Sequence, residues 1–220
     1  METRLAYAFY NRVEPEHGQD RPHIVDRIRP QLTRAIKPGM RVLDLGCGAG
    51  RFTFVVEEMG AVPAGVDCAG NLLDYARVVA ESEGRCARFV QGDYCELPFA
   101  PESFDVVLLI DNLVECSYDG ADLMVAQVRR ILSPGGLLCL SMADRLEKHR
   151  QGYDLTPFDP STGMKVAMHD PDGQGPVPYH ACFWTLPFAK YLFSRHLTLL
   201  EEEALSSGKH WLVYAKGPES

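Results

Sequence analysis

The residues best suited to chemistry cluster around Asp44-Leu45-Gly46-Cys47-Gly48-Ala49-Gly50, three alternate glycines behind an acidic residue. Glycines let a backbone approach a bound molecule closely, and they free the amides at a helix start for binding. A dinucleotide-binding turn reads G-x-G-x-x-G, which counted from Gly46 demands its third glycine where Arg51 stands. Here that glycine is Gly50, so the spacing departs from the nicotinamide fingerprint. Asp67 follows about 20 positions on, where a carboxylate acceptor for a ribose is expected in such a crevice. Asp111-Asn112 closes a later apolar run and places two more oxygen-bearing side chains at a strand end.

Other candidate chemistry is thinner. The seven cysteines, at 47, 68, 86, 95, 116, 139 and 182, include no C-x-x-C pair, so neither a zinc site nor a dithiol motif is read from them. Reduced, mostly buried thiols in a reducing compartment account for them. Asp111 and Asn112 are oxygen donors of the kind a hard cation takes, but no third carboxylate accompanies them, and no metal is expected.

Positioning these residues requires alternating strands and helices, and the sequence supplies them from Arg41 to Ala143. Strands are expected at 41–45, 61–66, 87–91, 104–110 and 137–141. Helices are expected after the glycine turn, over 71–83 and over 121–132. That alternation predicts a parallel sheet wrapped by helices. Phe104 to Ile110 is apolar but for Asp105 near its start, the near-continuous pattern of a strand buried on both faces. Beyond Ala143 the alternation lapses: residues 144–184 carry five prolines with several glycines. A connection longer than about 12–15 residues is usually functional or disordered, and the aromatic content here argues against disorder. A helix over 186–195 and strands over 197–205 and 210–216 complete the chain.

Composition narrows the function. The chain has 220 residues, 46% hydrophobic and 24% charged, which suits one soluble domain with an appended cap. Its apolar runs fall far short of the roughly 20 residues of a membrane span, and the start lacks the apolar core of a signal peptide. A cytoplasmic protein is expected. The net charge of −8, with no clustered Lys and Arg, disfavours a nucleic-acid partner.

Asp44 to Gly50 resembles motif I of class I S-adenosylmethionine-dependent methyltransferases, commonly D-x-G-x-G-x-G. The order of later segments agrees: Gly65-Val66-Asp67, then Asn71 to Arg77, then Gly92-Asp93-Tyr94. Phe104 to Asp111 is similar to motif IV, and Leu132 to Leu137 to the family's L-x-P-G-G. The resemblance covers roughly residues 30–143 well and 185–216 loosely, and is nearest to the small-molecule group that includes ubiquinone-biosynthesis methyltransferases. It implies an α/β, Rossmann-like doubly wound sheet of order 3-2-1-4-5-7-6, mostly parallel with an antiparallel final strand and helices on both faces. It further implies one domain over 1–220, with a helical cap over 1–40 and an insertion over 144–184 as substrate lid.

By that resemblance S-adenosyl-L-methionine is the cofactor, held by Asp44, Gly46, Cys47, Gly48, Gly50, Asp67, Cys68, Leu72, Asp93, Tyr94, Asp111 and Asn112. Asp67 would take the ribose hydroxyls, Asp93 the adenine amino group, and Cys68 would pack on the adenine. Methyl transfer from a sulfonium is an in-line displacement that chiefly needs alignment and exclusion of water. A base is needed only where the acceptor must lose a proton. His169, His180 and Glu115 are the candidates. Tyr7 and Tyr10, with Tyr179, Phe183 and Trp184, are expected to wall the acceptor, although packing of an N-terminal helix accounts for the first two equally well. Asp111-Asn112-Leu113-Val114 is not the N-P-P-Y of enzymes that methylate bases in nucleic acids. A small-molecule O-, N- or C-acceptor and a monomer or homodimer are expected. Cofactor binding without transfer, or a protein substrate, are the alternatives; a nicotinamide oxidoreductase is disfavoured by the glycine spacing.

Overall fold

The computed structural model describes residues 9–15, 22–113, 116–145, 164–169, 171–182, 184–206 and 208–218. In chain order its regular elements are α1 (Pro22–Ala35), β1 (Arg41–Leu45), α2 (Arg51–Glu58), β2 (Val62–Asp67), α3 (Gly70–Ser82), β3 (Arg88–Gln91) and β4 (Phe104–Ile110). Then follow α4 (Tyr118–Ile131), β5 (Leu132–Ala143), β6 (Met164–His169), β7 (Val177–Cys182), α5 (Leu186–Phe193), β8 (Thr198–Ser206) and β9 (Lys209–Ala215).

Seven strands form one sheet of order β3-β2-β1-β4-β5-β9-β8. The first five run parallel, and β9 enters antiparallel between β5 and β8. Counted along this sheet alone, the order is the expected 3-2-1-4-5-7-6. The centre is β1 and β4, whose apolar residues are buried on both faces. Val106, Leu108 and Ile110 join a cluster built with Val25, Ile28 and Leu32 of α1 and Phe52 and Val56 of α2. Val107 and Leu109 point the other way, into a cluster with Met124, Val125 and Val128 of α4 and Phe193 of α5. Alternate residues of one strand thus feed two cores, as the pleat dictates.

Caps fix where the helices begin. Ser117 accepts from the Gly120 N–H at 3.1 Å to start α4, and Thr185 accepts from the Phe188 N–H at 3.4 Å to start α5. Asp119 in the first turn of α4 and Arg129 and Arg130 in its last match the helix dipole. Among the described residues no helix is long and apolar enough to cross a membrane.

Two stretches differ from the sequence expectation. Ser133-Pro134-Gly135-Gly136 does not separate a helix from a new strand but lies within β5, with a register shift against β4 between Phe104 and Val106. The bulge absorbs the proline and the left-handed Gly135 (φ 73°). Within 144–184, expected to be irregular, β6 and β7 form a separate two-stranded antiparallel hairpin. Its turn carries Gly173 (φ 74°) and Gly175 (φ 103°), so glycines that read as loop punctuation reverse a hairpin.

Candidate functional site

The site lies at the carboxyl ends of β1, β2 and β4, where the sheet order reverses and a crevice opens. The glycine turn between β1 and α2 is its floor. Gly46, Gly48 and Gly50 all have positive φ, at 75°, 53° and 87°. Gly46 could not be replaced freely: an added Cβ would collide with Tyr94 Oη and come within 2.5 Å of Asn112 Nδ2. The turn is stitched to β2, since the amides of Gly46 and Cys47 both donate to Val66 O, at 2.8 and 3.1 Å. Asn112, at the end of β4, ties the other side. Its Nδ2 donates to Leu45 O and Gly46 O, both at 2.9 Å.

Asp67 ends β2 facing this turn. Its Oδ2 accepts the Gly48 N–H at 2.8 Å and its Oδ1 the Ala69 N–H at 2.9 Å, which fixes the carboxylate without exhausting its lone pairs. Burial pushes its pKa upward despite those amides. A buried carboxylate with acceptor capacity left is well matched to neutral hydroxyl donors. Asp44 has a different situation. It is only 3% exposed, its Oδ2 accepts from Thr53 Oγ1 at 2.7 Å, and desolvation raises its pKa to about 6. It braces the first turn of α2 from beneath.

Two adjoining hollows open above the floor. The smaller, about 140 Å³, is lined by Gly46, Gly48, Asp67, Cys68, Leu72, Asp93, Tyr94 and Asn112. Eight residues expected at the cofactor therefore line one space. Cys68 is a thiol there, its pKa pushed to about 12 by burial and by the Asp67 charge. A protonated thiol offers the hollow a small polarizable surface rather than a nucleophile. Asp93 Oδ1 is engaged by the Cys95 N–H at 2.8 Å. The larger hollow, about 460 Å³, shares Gly46, Gly48, Leu72 and Asn112 with the first and adds Cys47, Arg51, Phe52 and Asp111. Tyr10 borders both.

Asp111 has a left-handed backbone (φ 59°), uncommon without glycine and of the kind concentrated at functional sites. Ser141 Oγ donates to its Oδ1 at 2.7 Å, its own N–H reaches Ser141, and Lys209 pairs with Oδ2. Ser141 and Lys209 were not singled out in the sequence, because β5 and β9 bring them to Asp111 from 30 and 98 positions away respectively. Cys95, Cys116, Gly92 and Gly120 also line the smaller hollow and were not expected there; Gly92 and Cys95, which flank Asp93-Tyr94, had a nearby sequence signal.

Asp44 and Gly50 line neither hollow; Gly50 caps α2 and accepts the Phe54 N–H at 2.9 Å. Trp184 lines neither of these hollows but borders a third space with Asp111 and Lys209. It is 1% exposed, donates Nε1–H to Cys116 O at 3.2 Å, and stacks edge-on with Tyr118. His169, Tyr179 and His180 lie on β6 and β7 by their backbones. Their side chains, and Tyr7, Glu115 and Phe183 altogether, lie outside the described residues.

The family described as "Methyltransferase domain" matches residues 42–136. Over 106 residues the chain is 40% identical to a sterol 24-C-methyltransferase of Gibberella zeae, covering 46% of this chain and 27% of that one. Over 131 residues it is 36% identical to a ubiquinone biosynthesis O-methyltransferase of Cereibacter sphaeroides, covering 57% of this chain and 52% of that one. The chain thus spans between about a quarter and a half of these curated relatives. Among solved structures, the PH0226 protein from Pyrococcus horikoshii OT3 superposes with a TM-score of 0.78 at 26% identity, over 90% of this chain and 91% of that one. Residues 42–136 thus carry a likeness to methyltransferase domains, and the sheet shares the fold of an S-adenosylmethionine-dependent methyltransferase from Methanosarcina mazei, which superposes with a TM-score of 0.72 at 22% identity over 86% of this chain and 98% of that one.

Proposed function

We propose that the protein transfers a methyl group from S-adenosylmethionine to the O, N or C atom of a small-molecule acceptor. The observation that carries this reading is the pair of adjoining hollows, one walled by Asp67 and the glycine turn, the other largely by apolar side chains, meeting at Leu72 and Asn112. Asp67 fits a ribose, since its two oxygens are fixed by backbone amides and keep lone pairs. Leu72 and Cys68 offer apolar contact to a flat ring, and the open floor at Gly46 and Gly48 admits close approach.

When bound, S-adenosylmethionine supplies a methyl group already activated on a sulfonium. The chain's own task is then alignment and exclusion of water. Asn112 holds the floor to β4. Asp111, anchored by Ser141 and Lys209, presents a carboxylate able to accept a hydrogen bond from an acceptor O–H or N–H. His169 and His180 remain candidate bases on the hairpin, whose Pro171 borders the larger hollow. Relatives named for sterol and for ubiquinone biosynthesis support a small-molecule acceptor, and the net charge of −8 supports the absence of a nucleic-acid one. We read residues 144–184 as contributing the acceptor's lid, and the protein as cytoplasmic.

Calorimetry with S-adenosylhomocysteine and with NAD tests the cofactor. The homocysteine adduct should bind, NAD should not, and Asp67→Ala should weaken binding by about 1–3 kcal/mol, the scale of hydroxyl contacts left unmade. NAD binding in its place would sink the reading. Labelled S-adenosylmethionine with a panel of phenols, carboxylates and amines then finds the acceptor class.

A further inference from the structure

The roof over the larger hollow comes from two parts of the chain 160 positions apart, and they are joined by one ion pair. Arg12 Nε donates to Asp172 Oδ2 at 2.9 Å, and its NH2 group meets Oδ1, a two-pronged arrangement. The side chains are 24% and 17% exposed, less open than an ordinary surface pair.

Both partners are held ready. On one side, residues 9–14 are pinned to the start of α3: the Asn71 N–H donates to Asn11 Oδ1 at 3.3 Å, and Asn71 Nδ2 donates to Val13 O at 3.1 Å. Asn71 lies four residues past Asp67, so this anchor sits beside the smaller hollow. On the other side, Asp172 accepts the Gln174 N–H at 3.1 Å, and Gly173 gives the hairpin turn its left-handed step. Between the anchors Tyr10 borders both hollows, while Val13 and Pro171 face the larger one. The short N-terminal segment is therefore a strap laid from the cofactor side to the hairpin side, and Arg12–Asp172 is its buckle.

We propose that Arg12 and Asp172 are positioning residues that fasten this strap to the β6–β7 turn, so that a ligand under Tyr10 in the smaller hollow also steadies the acceptor wall at Pro171. The inference rests on the methyl-transfer reading above. Its consequence is ordered entry: the acceptor meets a complete wall only after the first hollow is filled, and the first ligand leaves slowly while the buckle holds.

The test uses the full chain with Arg12→Ala, Asp172→Ala and the exchanged pair Arg12→Asp/Asp172→Arg. Each single change should speed S-adenosylhomocysteine dissociation by about fivefold, the scale expected when a partly buried two-pronged pair is lost. The exchanged pair should return to within about twofold of the natural chain, with melting temperatures nearly unmoved throughout. A second readout needs no ligand: chymotrypsin cleavage after Tyr10 should run about fivefold faster in Asp172→Ala and slow again in the exchanged pair. Adding S-adenosylhomocysteine should protect Tyr10 in the natural chain and much less in Asp172→Ala. Cleavage at the same rate in all variants overturns the buckle, as does an exchanged pair no better than the two single changes combined. Failure of the natural chain to bind S-adenosylhomocysteine would instead strike the methyl-transfer reading, and the ligand-free cleavage comparison would still decide the buckle.

Discussion

Asp44 and Asp67 end neighbouring parallel strands, yet their surroundings give them different work. Asp67 faces the hollow; Asp44 faces the core and holds Thr53. Asp44 titrates near 6 in the folded chain, against an ordinary 3.8 that applies once it is unfolded. Between those values the folded state binds more protons, so its contribution to stability is lost as pH rises from about 4 to about 6. Asp44→Asn keeps an acceptor for Thr53 and removes the titration. The stability difference between natural chain and variant should therefore shift by about 2 kcal/mol in the variant's favour across that range. Urea denaturation at pH 4.5 and 6.5 checks this, and a constant difference would mean that Asp44 is not desolvated. Sequence alone marked both aspartates but could not separate them, because both precede turns. Which one lines the hollow depends on the pleat and on where α2 lands.

At the scale of elements, spacing located most of the fold. Apolar runs bounded by glycine and proline marked β1 and β4 correctly, because a strand buried on both faces leaves little choice of residue. The hairpin β6–β7 was hidden because its turn, and Pro178 within β7 itself, carry the residues that also mark irregular loops. Lys209 and Ser141 were hidden for another reason: a pairing across β5 and β9 has no local signature. Trp184 shows the same limit. Its aromatic character suggested an acceptor wall, whereas α4 and α5 enclose it with Tyr118 and Phe188. Trp184→Phe should lose the bond to Cys116 O and leave unfilled volume, costing about 1–3 kcal/mol in urea denaturation. A change below about 0.5 kcal/mol, the size of a surface substitution, would return Trp184 to the acceptor wall.

For the whole molecule, the crevice couples ligand to stability, since β1, β2 and β4 all end in it. A ligand at 100 times its dissociation constant adds about 2.7 kcal/mol to the folded state. For a chain of this length that corresponds to a rise in melting temperature of about 5–10 °C. S-adenosylhomocysteine should produce it in a thermal scan and NAD should leave the transition in place; the reverse pattern would reassign the crevice. The seven free cysteines bear on how such a scan is run: Cys86 is exposed already, and heating without a reductant adds the six thiols that the fold buries or half-buries.

The antiparallel course of β9 has a practical corollary. Its last residues pair with Leu137, and Lys216 bonds to Gly136 O and Leu132 O, at the edge of the sheet opposite the crevice. A protein tethered through its carboxyl end, on a sensor chip or to a fusion partner, leaves the mouth facing solution. An affinity tag on the amino side would instead be joined to the segment that leads into Phe9 and Tyr10, which border the larger hollow. The choice of handle thus decides whether ligand kinetics are measured on an open doorway or an obstructed one.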